Sequence, residues 1–249
     1  VQHKVLTSKQ LNARFSYLNL LNEPALLRDD VATIRPHRLL AALNKYLADK
    51  GVTFYNAQQV QRLITKDRAI TGAQINDEIL YAGEYIICSG AWSPKLVPEL
   101  SSKPDISPVK GQMICFPPID LADPCMVMDG DRYFIPRKDG RVVVGSTREH
   151  TGFNADTSQQ AFDDLRDFAQ QLFPALQAVQ PDAHWAGLRP SSPDSIPYIC
   201  RVAPYTNLSL NAGHYRNGIV TAPASAELIA DILLHRPSKL DHSAYQLTR

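Results

Sequence analysis

Two arginine residues carry the clearest chemistry in the sequence. Arg189 and Arg216 each stand in a weakly polar stretch close to glycine. A guanidinium group presents a planar fork of N–H donors that matches the two oxygens of a carboxylate. The pair therefore indicates a binding site for an acid-bearing small molecule. A second interpretation stays open at this point, in which the arginines form structural ion pairs with Asp194 or Glu227.

Two further side chains have both a chemical and a structural interpretation. Tyr133 begins a predicted strand, where its hydroxyl could bind the same carboxylate or its ring could pack across the strands. His214 suggests a catalytic base, but no Ser, Cys or Asp accompanies it in a triad pattern, and a hydrogen-bonded or exposed histidine is the alternative. Motifs of the H-E-x-x-H, P-loop or paired-carboxylate kind do not occur. We therefore predict no catalytic side chain and no metal site.

Two corners with glycine could hold a flat ligand. Residues 89–91 follow a predicted buried strand, and residues 213–219 precede the last predicted helix. Gly213 and Gly218 allow a ligand to approach the backbone closely, and the start of a helix favours negative charge. Ligands of open α/β sheets bind beyond the carboxyl ends of the strands, so a cofactor fits here, although plain packing is the alternative.

Several elements of α/β type position these corners. Pro36 begins a predicted helix whose leucines keep helical spacing and which Gly51 ends, and residues 52–55 read as a short strand. Residues 85–88 are continuously apolar, which is typical of a strand covered on both faces in a parallel sheet. Another strand over 208–210 leads through the glycine corner into the last helix.

The remaining elements predict antiparallel sheets. An antiparallel meander is expected over 60–65, 69–75 and 79–82. Longer strands are predicted over 111–116, 132–135, 141–144 and 185–189. Thr157 and Gln160 fit a capping box at the start of a helix with a buried stripe. Because the two kinds of segment alternate along the chain, we predict two interleaved domains.

Composition excludes several classes of function. The 249 residues contain 26 basic and 25 acidic side chains and 44% hydrophobic residues, so we expect a globular protein without a surface for nucleic acid. The apolar stretches are shorter than the roughly 20 residues that span a bilayer, so we expect no membrane association. Four scattered cysteines show no zinc or disulfide spacing, which favours a reduced, cytoplasmic protein. These cysteines are Cys88, Cys115, Cys125 and Cys200.

Five stretches together resemble a known family. In chain order they are Cys88-Ser89-Gly90-Ala91-Trp92-Ser93, Pro108-Val109-Lys110-Gly111-Gln112-Met113, Tyr133-Phe134-Ile135-Pro136-Arg137 with Gly140-Arg141-Val142-Val143-Val144-Gly145-Ser146-Thr147, Gly187-Leu188-Arg189-Pro190 with Ser192-Pro193-Asp194, and Gly213-His214-Tyr215-Arg216-Asn217-Gly218-Ile219. The chain is similar to the flavoprotein family of D-amino-acid oxidase, sarcosine oxidase and glycine oxidase, and the last stretch resembles the glycine oxidase type.

The resemblance implies a fold, a cofactor and a set of contacts. The fold is α/β (α+β mixed), with a partial, Rossmann-like FAD-binding domain over 36–92 and 205–236. A substrate domain over 1–35 and 93–204 would contain a large, mostly antiparallel sheet with flanking helices. Arg189, Arg216 and Tyr133 would bind the substrate carboxylate. The residues implied to bind FAD are Val60, Gly90, Ala91, Trp92, Gly213, His214, Tyr215, Asn217, Gly218, Ile219 and Val220.

The resemblance also implies a reaction. The α-carbon of glycine, sarcosine or a D-amino acid would transfer a hydride to flavin N5, the imine would hydrolyse to the oxo acid, and O₂ would reoxidise the flavin. The alternatives are a flavin-dependent D-amino-acid dehydrogenase and a non-catalytic module that binds a carboxylated ligand. No G-x-G-x-x-G occurs in the chain, so we expect that segment upstream of Val1 and expect these residues alone to be inactive. An uncovered sheet edge would favour association into a homo-oligomer.

Overall fold

The computed structural model describes residues 3–19, 24–97, 102–121 and 124–249. They form two compact units, one from residues 1–35 and 110–187 and the other from residues 36–109 and 188–249. The domain prediction from the sequence also divides the chain at residue 36, but it assigns residues 93–109 and 188–204 to the first of these units. No helix in the described ranges has the length and apolar character needed to cross a membrane.

Thirteen strands and five α-helices are found within the described ranges. They are β1 (Lys4–Leu6), α1 (Ser8–Arg14), β2 (Ala25–Leu27), α2 (Pro36–Asp49), β3 (Val60–Lys66), β4 (Ala69–Ile75), β5 (Glu78–Leu80), β6 (Tyr85–Ile87), α3 (Ser93–Leu96), β7 (Ser107–Phe116), β8 (Val127–Asp129), β9 (Arg132–Pro136), β10 (Val142–Gly145), α4 (Gln159–Leu172), β11 (Ala183–Ser191), β12 (Tyr198–Arg201), β13 (Leu208–Ala212) and α5 (Gly218–Leu233). The mixture of helices and antiparallel sheets confirms the predicted fold class.

The first unit contains most of a five-stranded sheet in the order β11-β7-β10-β9-β8. Strand β10 pairs antiparallel with both β7 and β9, as the predicted hairpin requires. Its Val142 and Val144 are fully buried and pack with Phe116, Phe134 and Leu165 of α4. The buried stripe of α4 therefore covers one face of the sheet, which is the arrangement expected when an apolar helix face meets alternating strands.

Helix α4 begins one residue later than its predicted cap. Ser158, not Thr157, is the N-cap residue, and its hydroxyl accepts a hydrogen bond from the backbone N–H of Ala161 at 3.4 Å. Gln160 donates to Asp164 instead of closing a capping box. The prediction of the cap was wrong because Ser158 also hydrogen-bonds with Gln112 of β7, a partner distant in sequence that fixes where the helix starts.

The second unit contains two three-stranded sheets. Strands β3, β4 and β5 form the predicted antiparallel meander. The other sheet has the order β12-β13-β6, in which β13 runs antiparallel to β12 and parallel to β6. Buried side chains of both sheets form one core cluster. On the opposite side, Ile199 of β12 packs against Leu228 and Ile229 of α5. Strand β6, predicted to lie in a parallel sheet, thus has a parallel partner in β13.

Three apolar stretches of this unit are more exposed than the sequence predicts. Residues 52–55 form no strand, and their apolar side chains are exposed. Strand β6 is not covered on both faces, because Ile86 is 44% exposed between buried Tyr85 and Ile87. Helix α2 has the predicted extent but buries none of its residues. Its Leu40, Leu43 and Leu47 are 56%, 44% and 37% exposed.

Candidate functional site

The backbone brings the two candidate arginines to neighbouring positions. The N–H of Tyr215 donates to the carbonyl oxygen of Pro190 at 2.8 Å, and Ser191 forms an isolated β-bridge with His214. Arg189 directly precedes Pro190, and Arg216 directly follows Tyr215. Arg189 is half-buried and Arg216 is exposed. Two guanidinium-bearing residues thus flank a single hydrogen bond, and their role as carboxylate ligands stays a prediction.

The carboxylates that the sequence offered as structural partners pair with other cations. Asp194 accepts two hydrogen bonds from Arg249, at 2.8 and 3.0 Å. The Arg249 guanidinium and the backbone N–H of Ile196 hold the pKa of Asp194 well below its ordinary value. Glu227 lies 3.8 Å from the amine of Lys239. Arg249 is thus a partner of Asp194, and Lys239 is a partner of Glu227.

The Gly213 corner needs glycine for its backbone conformation and for its packing. Gly213 is buried with φ of +88°, a region that residues with a side chain rarely adopt. A Cβ at this position would lie 3.4 Å from the ring of Tyr198 and 3.5 Å from Ile106. The chain turns sharply here and enters α5 at Gly218. Two apolar residues of the first turn of α5, Ile219 and Val220, are exposed.

The start of α5 has the polarity that suits a group bearing negative charge. Asn217 occupies the N-cap position and makes no side-chain cap hydrogen bond. The helix is 16 residues long, so its first turn carries backbone N–H groups and a partial positive charge.

The second glycine corner lies beside the first. Gly90 has φ of +55°, and a Cβ placed on it would lie 4.0 Å from Cγ of Pro190. Ala91 is buried and Trp92 is exposed. Because Pro190 also accepts the hydrogen bond from Tyr215, three separate segments meet around it. Val60 is located differently: it begins β3 in the meander and packs against the core cluster of this unit.

His214 is hydrogen-bonded inside the second unit. Its Nε2 lies 3.0 Å from Oγ of Ser225, a buried residue of α5. Burial removes water from the imidazole and lowers the pKa of His214 below its ordinary value, so the neutral ring is favoured. The geometry supports the structural interpretation of His214, which ties the corner to the helix that follows it.

Tyr133 lies in the first unit and packs across the sheet. It pairs in register with Gly145 of β10, where a Cβ would lie 2.7 Å from the tyrosine ring. The phenol oxygen lies 3.6 Å from the sulfur of Met113. This arrangement favours the packing interpretation of the ring, and a contact of the hydroxyl with a carboxylate stays a prediction.

Two polar side chains of β13 were missed by the sequence reasoning. The hydroxyl oxygen of Ser209 and the side-chain oxygen of Asn211 are buried, and neither has a hydrogen-bond partner within the described residues. Both belong to the strand that ends at the Gly213 corner, and Ser209 pairs in register with Ile86. The sequence signal for these two side chains was that Ser209 and Asn211 alternate with the apolar residues Leu208, Leu210 and Ala212. Buried polar groups need partners, so this strand fits a group supplied from outside it, such as a bound cofactor.

Comparison with known proteins identifies the family of the chain. The sequence model of the family described as FAD dependent oxidoreductase matches residues 1–232. Glycine oxidase of Pseudomonas putida is 37% identical over 248 residues, covering 98% of this chain and 68% of that protein. Glycine oxidase of Pseudomonas aeruginosa is 38% identical over 222 residues, covering 89% of this chain and 61% of that protein.

The fold is also that of solved flavoenzymes. Glycine oxidase from Geobacillus kaustophilus superposes with a TM-score of 0.93 at 24% identity, over 100% of this chain and 67% of that structure. L-proline dehydrogenase from P. horikoshii superposes with a TM-score of 0.89 at 20% identity, over 99% of this chain and 68% of that structure. The chain therefore spans about two thirds of the length of the relatives it matches. The 249 residues belong to the family of FAD-dependent oxidoreductases.

Proposed function

We propose that the full-length protein oxidises a small amino acid or secondary amine, such as glycine, sarcosine or a D-amino acid. The observation that supports this proposal is the hydrogen bond from the N–H of Tyr215 to the carbonyl oxygen of Pro190, the residues that adjoin Arg216 and Arg189 in the chain. The glycine oxidase relatives support the same class of substrate. Substrate and electron acceptor are part of the proposal.

In this proposal the two arginines bind and orient the substrate. Each guanidinium donates hydrogen bonds to the carboxylate, and together they balance its negative charge in a partly buried place. Fixing the acid group leaves the amine and the α-carbon free to point toward the corner. Holding the reacting carbon in one position and one orientation lowers the entropic part of the activation barrier.

The Gly213 corner and the start of α5 hold the cofactor side of the site. FAD, when bound, supplies the acceptor for the hydride of the α-carbon at its N5 position. Residues 214–220 would line the ring, and the first turn of α5 would stabilise negative charge there. Gly90, Ala91 and Trp92 would border the same ring, and Val60 would contact the adenine end. The substrate amine reacts as the neutral base, and the resulting imine is hydrolysed to the oxo acid.

His214 has a supporting role in this scheme. Because burial lowers its pKa and Ser225 is its hydrogen-bond partner, the imidazole stays neutral and fixed near neutral pH. Its ring keeps the segment after Gly213 attached to α5. No proton needs to be transferred to this histidine for the proposed chemistry.

Oxygen consumption by the purified full-length protein tests the proposal. Glycine, sarcosine and D-alanine are compared with methylamine, which has no carboxylate, and a dye acceptor replaces O₂ in a parallel series. We expect turnover of a carboxylated amine with O₂. The variants Arg189→Lys and Arg216→Ala should each raise KM by roughly tenfold or more, because a bidentate contact of about 1.5–3 kcal/mol is lost.

Matched controls separate binding from folding. Arg236→Ala removes an arginine of the same unit that pairs with Asp231, and it should leave KM unchanged within about twofold. Equal turnover of methylamine and glycine would contradict the carboxylate role of the two arginines. Turnover with the dye but not with O₂ would assign the protein as a dehydrogenase.

A further inference from the structure

Arg249 lies at the centre of a dense set of contacts in the second unit. It forms the bidentate pair with Asp194, and its Nη2 also donates to the carbonyl oxygen of Ile196 at 2.6 Å. Its Nη1 donates to the carbonyl oxygens of Gln246 at 3.1 Å and Pro197 at 3.4 Å. The side chain is 14% exposed. A single guanidinium therefore binds residues 194–197, a loop between β11 and β12 that has no regular structure of its own.

One path of contacts leads from this loop to the Gly213 corner. The Ser192 hydroxyl lies 2.7 Å from the carbonyl oxygen of Ile196, the same oxygen that Arg249 contacts. That hydroxyl also lies 3.4 Å from the carbonyl oxygen of Gly213. Ser192 is buried, so no water replaces these contacts. The position of Ile196 is thus coupled to the backbone of the corner through one side chain.

A second path passes through an aromatic ring. The guanidinium carbon of Arg249 lies 4.0 Å from the centroid of the Tyr198 ring, which is cation–π distance. The same ring borders Gly213 so closely that an added Cβ would be 3.4 Å from it. Tyr198 pairs in register with Ala212, the residue before the corner. The ring therefore has Arg249 and Gly213 as direct neighbours.

We propose that Arg249 is a positioning residue for the substrate and cofactor site. By fixing residues 192–198 it holds the Pro190 and Tyr215 pairing, and with it the backbone of Arg189 and Arg216. Where the inference concerns substrate binding, it rests on the proposed function. Where it concerns flavin binding, it rests only on FAD being the cofactor of the family. Arg249 itself touches neither ligand.

Arg201, the last residue of β12, provides a control for the ion pair. It forms a bidentate pair with Glu84, at 2.5 and 3.2 Å, as Arg249 does with Asp194. In the register of β12 with β13, Arg201 pairs with Ser209 at the end far from the corner. Loss of Arg201 removes an equivalent ion pair without touching the loop that contains Ser192 and Ile196.

The test uses the full-length protein with the variants Arg249→Ala, Arg249→Lys, Asp194→Asn and Arg201→Ala. KM and kcat are measured for the carboxylated amine, together with inhibition by acetate. For Arg249→Ala we expect KM and the acetate inhibition constant to rise on the order of tenfold, with kcat changed less than about threefold. Arg249→Lys should fall between wild type and Arg249→Ala, because the charge is kept and the fork is lost.

A second readout is independent of turnover. FAD is titrated into the apoprotein, and the visible circular dichroism of the bound flavin is recorded. Arg249→Ala and Asp194→Asn should weaken FAD binding severalfold and alter the flavin signal, and the double variant should equal Arg249→Ala, because Asp194 acts through its pair with Arg249. Arg201→Ala should match wild type in both readouts, even where its melting temperature falls as much as that of Arg249→Ala.

Each outcome decides the inference. Equal KM, acetate inhibition and flavin signal in Arg249→Ala and Arg201→Ala would overturn it. If Arg249→Ala does not fold, Arg249→Lys and Asp194→Asn are judged by the same criteria. Wild-type protein that oxidises no carboxylated amine would refute the proposed function, and the FAD titration and the flavin signal would then decide the role of Arg249.

Discussion

Replacement of Lys110 by methionine tests whether a buried ion pair stabilises the first unit. The Lys110 amine is almost completely buried and lies 3.0 Å from Oε2 of Glu149, and it donates to the carbonyl oxygen of Asp156 at 3.1 Å. The other carboxylate oxygen accepts hydrogen bonds from Thr147 at 2.5 Å and Gln112 at 2.8 Å. The substitution leaves Glu149 without its cation but with these two donors.

The expected cost follows from this geometry. Breaking a buried pair costs about 3–5 kcal/mol when the remaining charge has no compensation. Glu149 keeps two hydrogen bonds, and its side chain is 27% exposed, so the expected loss is smaller, about 2–3 kcal/mol. Because 1.4 kcal/mol is a factor of ten, local opening should become about 30- to 150-fold more frequent.

Hydrogen–deuterium exchange of the full-length protein measures this opening directly. Peptides from β7 and α4 should exchange faster by that factor, because Gln112 of β7 links the network to Ser158 at the start of α4. The control is Lys45→Met, since Lys45 forms an exposed pair with Asp49 that should contribute less than about 0.5 kcal/mol. Equal exchange in the two variants would show that the Lys110–Glu149 ion pair does not stabilise the first unit.

Three further predictions follow from individual contacts. Burial raises the pKa of Glu149, but hydrogen bonds from Thr147, Gln112 and Lys110 outweigh it and place the pKa below the ordinary 4.5. The ionised carboxylate of Glu149 therefore stabilises the fold fully above about pH 4.5, and this stabilisation is lost as the pH falls through the lowered pKa. The variant Glu149→Gln should not show this pH-dependent loss of stability in acid unfolding. Gly213→Ala should destabilise the second unit by about 1–2 kcal/mol in urea unfolding, because φ is +88° there, whereas Gly83→Ala, with nothing within 4 Å, should not. Ser158→Ala should cost about 1 kcal/mol of stability, and Thr157→Ala should change it by less than about 0.5 kcal/mol; the reverse order would show that the cap is Thr157.

Local patterns of the sequence predicted the elements whose partners are close along the chain. The meander of β3, β4 and β5 and the hairpin of β9 and β10 appeared where expected, since short turns set their register. The turn residues Asp67 and Asn76 adopt positive φ, which Asp and Asn tolerate. Helix α4 followed from its apolar stripe. In each case the information lies within about 20 residues of sequence.

Contacts between distant segments were beyond the same reasoning. Residues 52–55 have strand composition but no partner strand within the described residues, so they stay extended and exposed. The sequence analysis did not predict β12. Residues 198–201 form a strand because they pair with β13, and they lack the alternation of apolar and polar side chains that would have indicated one. An ion pair with Asp194 was one of two interpretations considered for the arginines at 189 and 216, and the sequence did not point to the pair that Asp194 forms with Arg249, 55 residues further along. Ion pairs follow the folded backbone, and sequence proximity alone does not select them.

The uncovered leucines of α2 have a consequence for how the chain behaves on its own. A helix of 14 residues is at the length where isolated helices in water are marginal, and none of the residues of α2 is buried. We therefore expect residues 36–49 to melt before either core opens, and far-ultraviolet circular dichroism should register this loss of helix first.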